Sequence, residues 1–354
     1  MSNSTISDLE KKNLEKQGYR IVGNHSVVKV CHYTKQSLRG KDVCYKCQFY
    51  GIKSWRCVEM SPTWLCDHRC VFCWRDTKYA WPSWTGPVDE PKDIIDGCIS
   101  GWRGLLTGFK GNLKVDQQRY QETTKPLHFA ISLTGEPTMY PRLHEMIAEL
   151  HNRKITSFLV TNGTIPEMIK KLAQKENQPP QLYVSVYGHN EEVYKKTAMP
   201  LPQNGWQRLQ ETLAMIGKFD RSVIRLTLTK GYNMVNPEAY GKFLSNVNMN
   251  FIELKGYMNI GHSIERLSPD AMPSHEEIID FGKKVAEAGG FKLVDQKEGS
   301  RVALLMRDEE FDRFLKLNDG SAPFVEDTVP NDFVSTQLSS HDLNRLKAEQ
   351  IKFP

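Results

Sequence analysis

No stretch of the 354-residue chain approaches the roughly 18 consecutive apolar residues of a membrane-spanning helix. The N-terminus, MSNSTISDLEKKNLEKQGYR, lacks the apolar core of a secretory signal. These two absences exclude a helical membrane span and lead to the expectation of a cytoplasmic protein without a membrane partner. Internal repeats and low-complexity runs are also missing, which excludes a solenoid or array. Cysteine is scarce over most of the length, since only Cys98 lies outside residues 31–73. Acid is scarce in one segment, 29–53, where Asp42 stands alone among Lys29, Lys35, Arg39, Lys41, Lys46 and Lys53. The net charge of +5 is mild: it permits an acidic partner such as nucleic acid without requiring one.

What is present is concentrated. Cys31, Cys44, Cys47, Cys57, Cys66, Cys70 and Cys73 crowd the same region as the missing acids. In a cytoplasmic chain such clustering argues for metal or redox chemistry rather than disulfides. The acid-poor segment, flanked by Arg20 and Arg56, interleaves its cations with His25, His32, Tyr33, Tyr45, Phe49, Tyr50 and Trp55. That mixture suits phosphate contacts with base stacking, and a solvated basic face fits it equally well.

Downstream, apolar runs alternate with helix-like segments. Residues 55–61, 127–133, 155–161, 181–187, 223–229, 251–256, 291–296 and 301–306 read as strands, several apolar enough for burial on both faces. Pro141 and Pro166 open helices, the first with an apolar stripe of Leu143, Met146, Ile147 and Leu150. Trp206, Leu209, Leu213 and Ile216 form another stripe. Ser274 with Glu277 makes a capping box for a helix that Gly289 can end. Cys98, beside Ile94, Ile95, Ile99 and Trp102, reads as a buried apolar residue. The alternation predicts an α/β fold with a parallel sheet, doubly wound or rolled into a barrel. The loops after successive strands, including TGEPTMYP, TNGTIP, YGHNEE and KGYMNIGHS, sit where such folds place their sites.

The cysteines fall into two sets. Cys66, Cys70 and Cys73 form C-x3-C-x2-C, with Phe72 just before the third and, inside, His68, which could be a ligand but is expected to be exposed. Zinc would call for a closed tetrahedron, whereas three thiolates on a [4Fe–4S] cluster leave one iron open to a chelating ligand. Cys31, Cys44 and Cys57 are separated by twelve residues each, a spacing unusual for a zinc finger.

Cys66, Cys70, Phe72 and Cys73 resemble the signature of the radical S-adenosylmethionine (SAM) superfamily. The resemblance implies an incomplete TIM barrel of about six βα units plus extra C-terminal strands and helices. The barrel would occupy residues 61–306, between an N-terminal extension (1–60) and a helical appendage (307–354). It also implies SAM chelated on the open iron, and an electron donor whose single electron cleaves SAM to a 5′-deoxyadenosyl radical. Gly135, Glu136 and Pro137 look like the segment that meets the methionine moiety of SAM, a backbone edge plus a carboxylate suiting an ammonium. Asn162 and Ser185 stand where the family contacts the ribose or carboxylate of SAM.

The second set is similar to a narrower family. With HSVVKVCHYTKQSL, CYKCQFYGI, RLTLTKGYNM and FIELKGYMNIGHS, residues 25–305 resemble the 4-demethylwyosine synthases of wybutosine formation in tRNA. Because only residues 1–30 precede Cys31, the stand-alone archaeal-type form is expected, without the flavodoxin-like domain of eukaryotic members. The resemblance implies a second [4Fe–4S] cluster on Cys31, Cys44 and Cys57 whose open iron binds pyruvate. The substrate would be tRNA(Phe) carrying 1-methylguanosine next to the anticodon, held by its anticodon stem-loop. Hydrogen abstraction from the N-methyl group, attack on the pyruvate keto carbon, loss of the carboxyl carbon and ring closure would give the tricyclic base. Lys46 matches the family lysine assigned a Schiff base with pyruvate.

Cys47 leaves a closed four-cysteine site open, and a radical SAM enzyme acting on a peptide or small molecule or a zinc-stabilised RNA-binding protein are competing readings. Residues 75–125 offer Arg75, Lys78, Trp81, Trp84, Arg103, Lys110, Lys114 and Arg119 as expected RNA contacts, with a loop of no function as the alternative for 105–125.

Overall fold

Short runs rich in apolar side chains, most of them buried on both faces, generate the sheet. In the computed structural model, which describes residues 3–324, ten strands form it. They are β1 (Tyr19–Val22), β2 (Ser26–Lys29), β3 (Cys57–Ser61), β4 (His128–Ile131), β5 (Thr156–Thr161), β6 (Gln181–Ser185), β7 (Ser222–Leu228), β8 (Phe251–Gly256), β9 (Lys292–Lys297) and β10 (Val302–Met306). The helices are α1 (Asp8–Lys16), α2 (His32–Leu38), α3 (Tyr45–Tyr50), α4 (Pro91–Leu106), α5 (Gln117–Glu122), α6 (Leu143–Asn152), α7 (Pro166–Leu172), α8 (Glu191–Ala198), α9 (Gly205–Met215), α10 (Pro237–Ser245) and α11 (His275–Gly289). The strand order is β1-β2-β3-β4-β5-β6-β7-β8-β10-β9. β3 to β8 pair in parallel, in chain order. β1 and β2 extend one edge antiparallel, and β10 and β9 the other. Six parallel strands with added C-terminal strands match the expected incomplete barrel.

The period of two along each strand separates two cores. Leu159, Leu182, Ile224, Ile252 and Leu254 face outward and pack with the helix stripes, among them Met146, Ile169, Leu209 and Ile278. Their neighbours Phe158, Tyr183, Val223, Phe251 and Leu304 face inward and pack with Val43, Tyr45, Phe49, Tyr50 and Ile52 of the α3 segment. Each such buried side chain contributes about 1.5–3 kcal/mol. The capping box of α11 forms as expected, but the left-handed C-cap is Gly290, one residue beyond Gly289. Cys98 is buried on α4, as expected.

One element was unforeseen and two expectations are corrected. The hairpin β1–β2 was not foreseen, because its strands are four residues each and carry polar side chains. The boundary at 60/61 falls inside β3, so the N-terminal extension and the barrel share a strand. Residues 307–324 contain no helix. They form a strap across the N-terminal ends of the parallel strands, closing the inner face over α3; residues 325–354 lie outside the described part. Arg221 donates to the carbonyls of Asp312 and Arg313 at 2.6 Å each, and the Leu315 and Phe324 amides donate to the Tyr50 and Gly51 carbonyls. A side chain at Gly51 (φ +74°) would meet Pro323 at 2.5 Å, so glycine is what allows the strap to lie this close.

Candidate active site

The loop after β3 gathers Cys66, Cys70 and Cys73. Burial pushes the Cys66 and Cys70 thiols up, and the Arg75 guanidinium, placed against all three sulfurs, opposes this. Arg75 also donates to the Trp64 carbonyl, so it serves this loop rather than an RNA surface. His68 is not exposed as expected but 1% accessible. Its Nδ1 meets Asp67 at 2.8 Å and its Nε2 the Tyr194 hydroxyl at 2.9 Å. Cys66, Asp67 and His68 have donor atoms within 4.8 Å of one another, but the last two are committed to these partners. The loop therefore presents three thiols, which fits a cluster with one open iron. Phe72 packs against Tyr187 with ring centroids 5.3 Å apart.

Gly135 lies in the left-handed region (φ +67°), and a Cβ there would meet the Thr63 and Leu65 carbonyls at 2.3 and 2.6 Å. Only glycine lets TGEP lie against the cysteine loop. Pro137 opens a short 3-10 turn, Pro137–Met139. The Glu136 carboxylate, expected to face an ammonium, is enclosed by donors of this chain. It accepts from Thr138 N and Oγ1, Thr161 Oγ1 and Asn162 N at 2.6–3.0 Å. Burial and Asp67 raise its pKa; these hydrogen bonds oppose the rise. The Asn162 side chain donates to Asp67 at 2.6 Å, and so locks the cysteine loop. Ser185, at the end of β6, is buried beside the Tyr187 hydroxyl, whose pKa it lowers against the rise from burial.

Cys31, Cys44 and Cys57 also come together. Cys31 precedes α2, Cys44 precedes α3 and Cys57 begins β3. The backbone N–H groups of Tyr33, Lys46 and Ala130 lie near enough to Cys31, Cys44 and Cys57 respectively to favour their thiolates. N–H dipoles beside sulfur suit the ligands of a cluster. Burial raises all three thiols, Cys57 to about 12, while Lys46 pulls Cys44 and Cys57 back down. Cys47 instead packs within the apolar cluster of the inner face, 1% exposed. Lys46 is 6% exposed, its ammonium 4.6 Å from the Tyr183 ring centroid and 5.1 Å from that of Phe158.

The two thiol sets share one polar interior. Tyr187 feels Cys66 and Cys70 and lies beside Arg225. Arg225 in turn faces Glu253 and Tyr45, whose hydroxyl it reaches at 3.3 Å. Lys255 donates to the Ser300 carbonyl at 2.7 Å and is pulled down to about 8 by burial first and by Arg225 second. Burial raises Glu59, and Lys46 and Lys29 lower it. Sequence reading passed over Glu59, Arg225, Glu253 and Lys255. The signal was there: charges inside strands otherwise apolar on both faces must point into a polar interior.

The expected RNA surface is divided: Arg20, His32, Arg39, Lys41 and Arg103 are exposed, while other members are buried or paired within the fold. Tyr45, Phe49, Tyr50 and Trp55 are core residues. Lys53 bonds Ser321, Arg56 bonds Asp319, and Arg119 donates to the Ser37 carbonyl and covers Trp55. Lys78, Trp81, Lys110 and Lys114 are exposed.

A parallel sheet with a three-thiol loop after its first parallel strand defines a radical SAM enzyme, whose cofactors are SAM and a [4Fe–4S] cluster. Residues 60–244 match the model of the radical SAM superfamily, and residues 247–307 that for wyosine base formation. The chain is 42% identical over 299 residues to the SAM-dependent tRNA 4-demethylwyosine synthase of Pyrococcus abyssi, covering 83% of this chain and 87% of that protein. A structure of TYW1 with a lysine–pyruvate adduct bound matches with a TM-score of 0.79 at 32% identity, over 88% of this chain and 100% of the other. A crystal structure of archaeal TYW1 matches with a TM-score of 0.72 at 30% identity, over 88% and 100%. The chain belongs to the family of tRNA 4-demethylwyosine synthases. The zinc-stabilised, non-catalytic reading is thereby set aside.

Proposed function

We propose that this enzyme condenses 1-methylguanosine, next to the anticodon of tRNA(Phe), with pyruvate to form 4-demethylwyosine in the cytoplasm, drawing on a separate reductant. The observation that carries the reading is the pair of three-thiol sets on one interior, with the Lys46 amine between aromatic rings beside the second. Cys66, Cys70 and Cys73 would hold the first cluster, and Cys31, Cys44 and Cys57 a second. With SAM bound, the first supplies a 5′-deoxyadenosyl radical. The edge at Gly135, Glu136 and Pro137, with Phe72, Asn162 and Ser185, would line the SAM site. Lys46 would hold pyruvate as an imine, its amine having no hydrogen-bond partner among the described residues to compete. Arg225 and Lys255 would offset the negative charge of the pyruvate carboxylate.

The test is a single-turnover assay with anaerobically reconstituted, reduced protein, SAM, carbon-labelled pyruvate and methylguanosine-containing tRNA. The expected product is a tricyclic base that keeps the keto-carbon label and loses the carboxyl-carbon label. Methionine and 5′-deoxyadenosine without that base would defeat the substrate assignment.

A further inference from the structure

Met258, Ile260 and Ile264 are 42%, 50% and 59% exposed within one loop after β8. Single exposed apolar residues are ordinary, but three within seven positions of one loop call for a cause. The loop is held firmly. Asn259 donates to the Tyr257 hydroxyl and the Leu267 carbonyl, and Tyr257 donates to Ser263. Gly261 (φ +58°) leaves no room for a side chain, since a Cβ would lie 2.3 Å from the Trp74 carbonyl. The His262 amide donates to that same carbonyl at 2.9 Å. Arg266 donates to the Val71 carbonyl at 3.2 Å and to that of Cys73. The apolar knuckle is thus latched directly to the cysteine loop, on the reactive face.

The opposite end of the same cysteine loop carries a second exposed group. Trp81, 46% exposed, donates its amide to the Cys66 carbonyl at 2.9 Å, with the exposed Lys78 three residues before it. The Lys78 ammonium is paired with Asp76 at 2.6 Å, so the exposed Trp81 indole is the second group. An exposed indole and an apolar knuckle, both tied to the one cysteine loop, suit unstacked bases better than another protein surface.

We infer that Met258, Ile260 and Ile264 form an apolar wedge that engages the unpaired bases flanking the target nucleotide of an RNA loop, so that this nucleotide leaves its stack and enters the barrel. Aliphatic and thioether side chains inserted at base steps do this elsewhere in nucleic-acid recognition. A base cannot meet a radical formed inside the barrel while it remains stacked. The inference rests on the proposed tRNA substrate.

The experiment measures anisotropy of a labelled, methylguanosine-containing anticodon stem-loop titrated with the reconstituted full chain. The variant is Met258→Ser/Ile260→Ser/Ile264→Ser, with Ile260→Ser alone as a milder companion. The triple variant should bind about tenfold more weakly, the single variant less so. The salt dependence should be unchanged, because no phosphate contact is removed. Iron content and melting temperature should match the wild type. Wild-type binding with the triple variant within about twofold of it would overturn the wedge alone. A wild-type chain that does not bind the stem-loop would overturn the substrate assignment and the wedge with it. A wild-type dimer that the triple variant dissolves would show the patch to be a self-contact and overturn the wedge.

Discussion

Lys46 and Lys255 are two amines in one enclosed interior with different surroundings. Lys255 is tied to the Ser300 carbonyl, whereas Lys46 lies over the Phe158 and Tyr183 rings. Lys46→Ala should lower tricyclic-base formation by roughly two orders of magnitude or more, as loss of a covalent group does, read by product mass spectrometry. Arginine cannot form an imine, so Lys46→Arg should not restore it. The cysteines divide in the same way. Cys44→Ser should lower the reconstituted iron from about eight to about four per chain. Cys47→Ser should leave it near eight, because Cys47 is packed among Val43, Tyr45 and Phe49. Both are read by metal analysis, and equal loss in the two variants would restore the four-cysteine site. The spacing of Cys66, Cys70 and Cys73 singled out the first set, whereas the second set rested on the family resemblance and left Cys47 open. The side on which each basic or aromatic residue of 29–56 falls was not legible, since composition does not say which face of a segment is covered.

The α3 segment and the strap explain that misreading. Tyr45, Phe49 and Tyr50 look like a stacking surface in sequence, but they plug the inner face under the strap. The strap is anchored by Arg313, which donates to Asp295 at 2.8 Å with both side chains almost fully buried. Arg313→Met should cost about 3–5 kcal/mol in chemical denaturation because it strands a buried carboxylate, and adding Asp295→Asn should recover part of the loss. Gly135→Ala should cost roughly 3 kcal/mol, since strain at positive φ adds to the clash with the Thr63 and Leu65 carbonyls. The parallel strands from 127 to 256 were legible because strands buried on both faces read as nearly continuous apolar runs. The β1–β2 hairpin was not, because four-residue edge strands with polar side chains carry little periodic signal.

At the scale of the whole molecule, two surfaces close the interior. The strap seals the N-terminal end of the sheet, and the cysteine loop with its neighbours forms the mouth. The seal carries a pH dependence. Asp319 is held down to about 2, the effect of its partial burial being outweighed by hydrogen bonds from Ser321 and by Arg56 at 2.7 Å. A carboxylate with a depressed folded pKa stabilises above its unfolded value, and that stabilisation is lost as pH falls through the folded one. Asp319→Asn should therefore cost about 1 kcal/mol at neutral pH, after allowance for solvent screening. The difference from wild type should shrink as pH falls from about 4 toward 2. A gap that stays constant down to acid pH would argue against the pair.

The central claim is that pyruvate is held on Lys46 inside the interior shared by the two thiol sets. Borohydride reduction of the reconstituted enzyme with labelled pyruvate, followed by peptide mass mapping, tests it most directly. The predicted result is one reduced pyruvate adduct per chain on Lys46, absent from Lys46→Ala. An adduct on Lys255, or no adduct in an enzyme that still makes the tricyclic base, would contradict it.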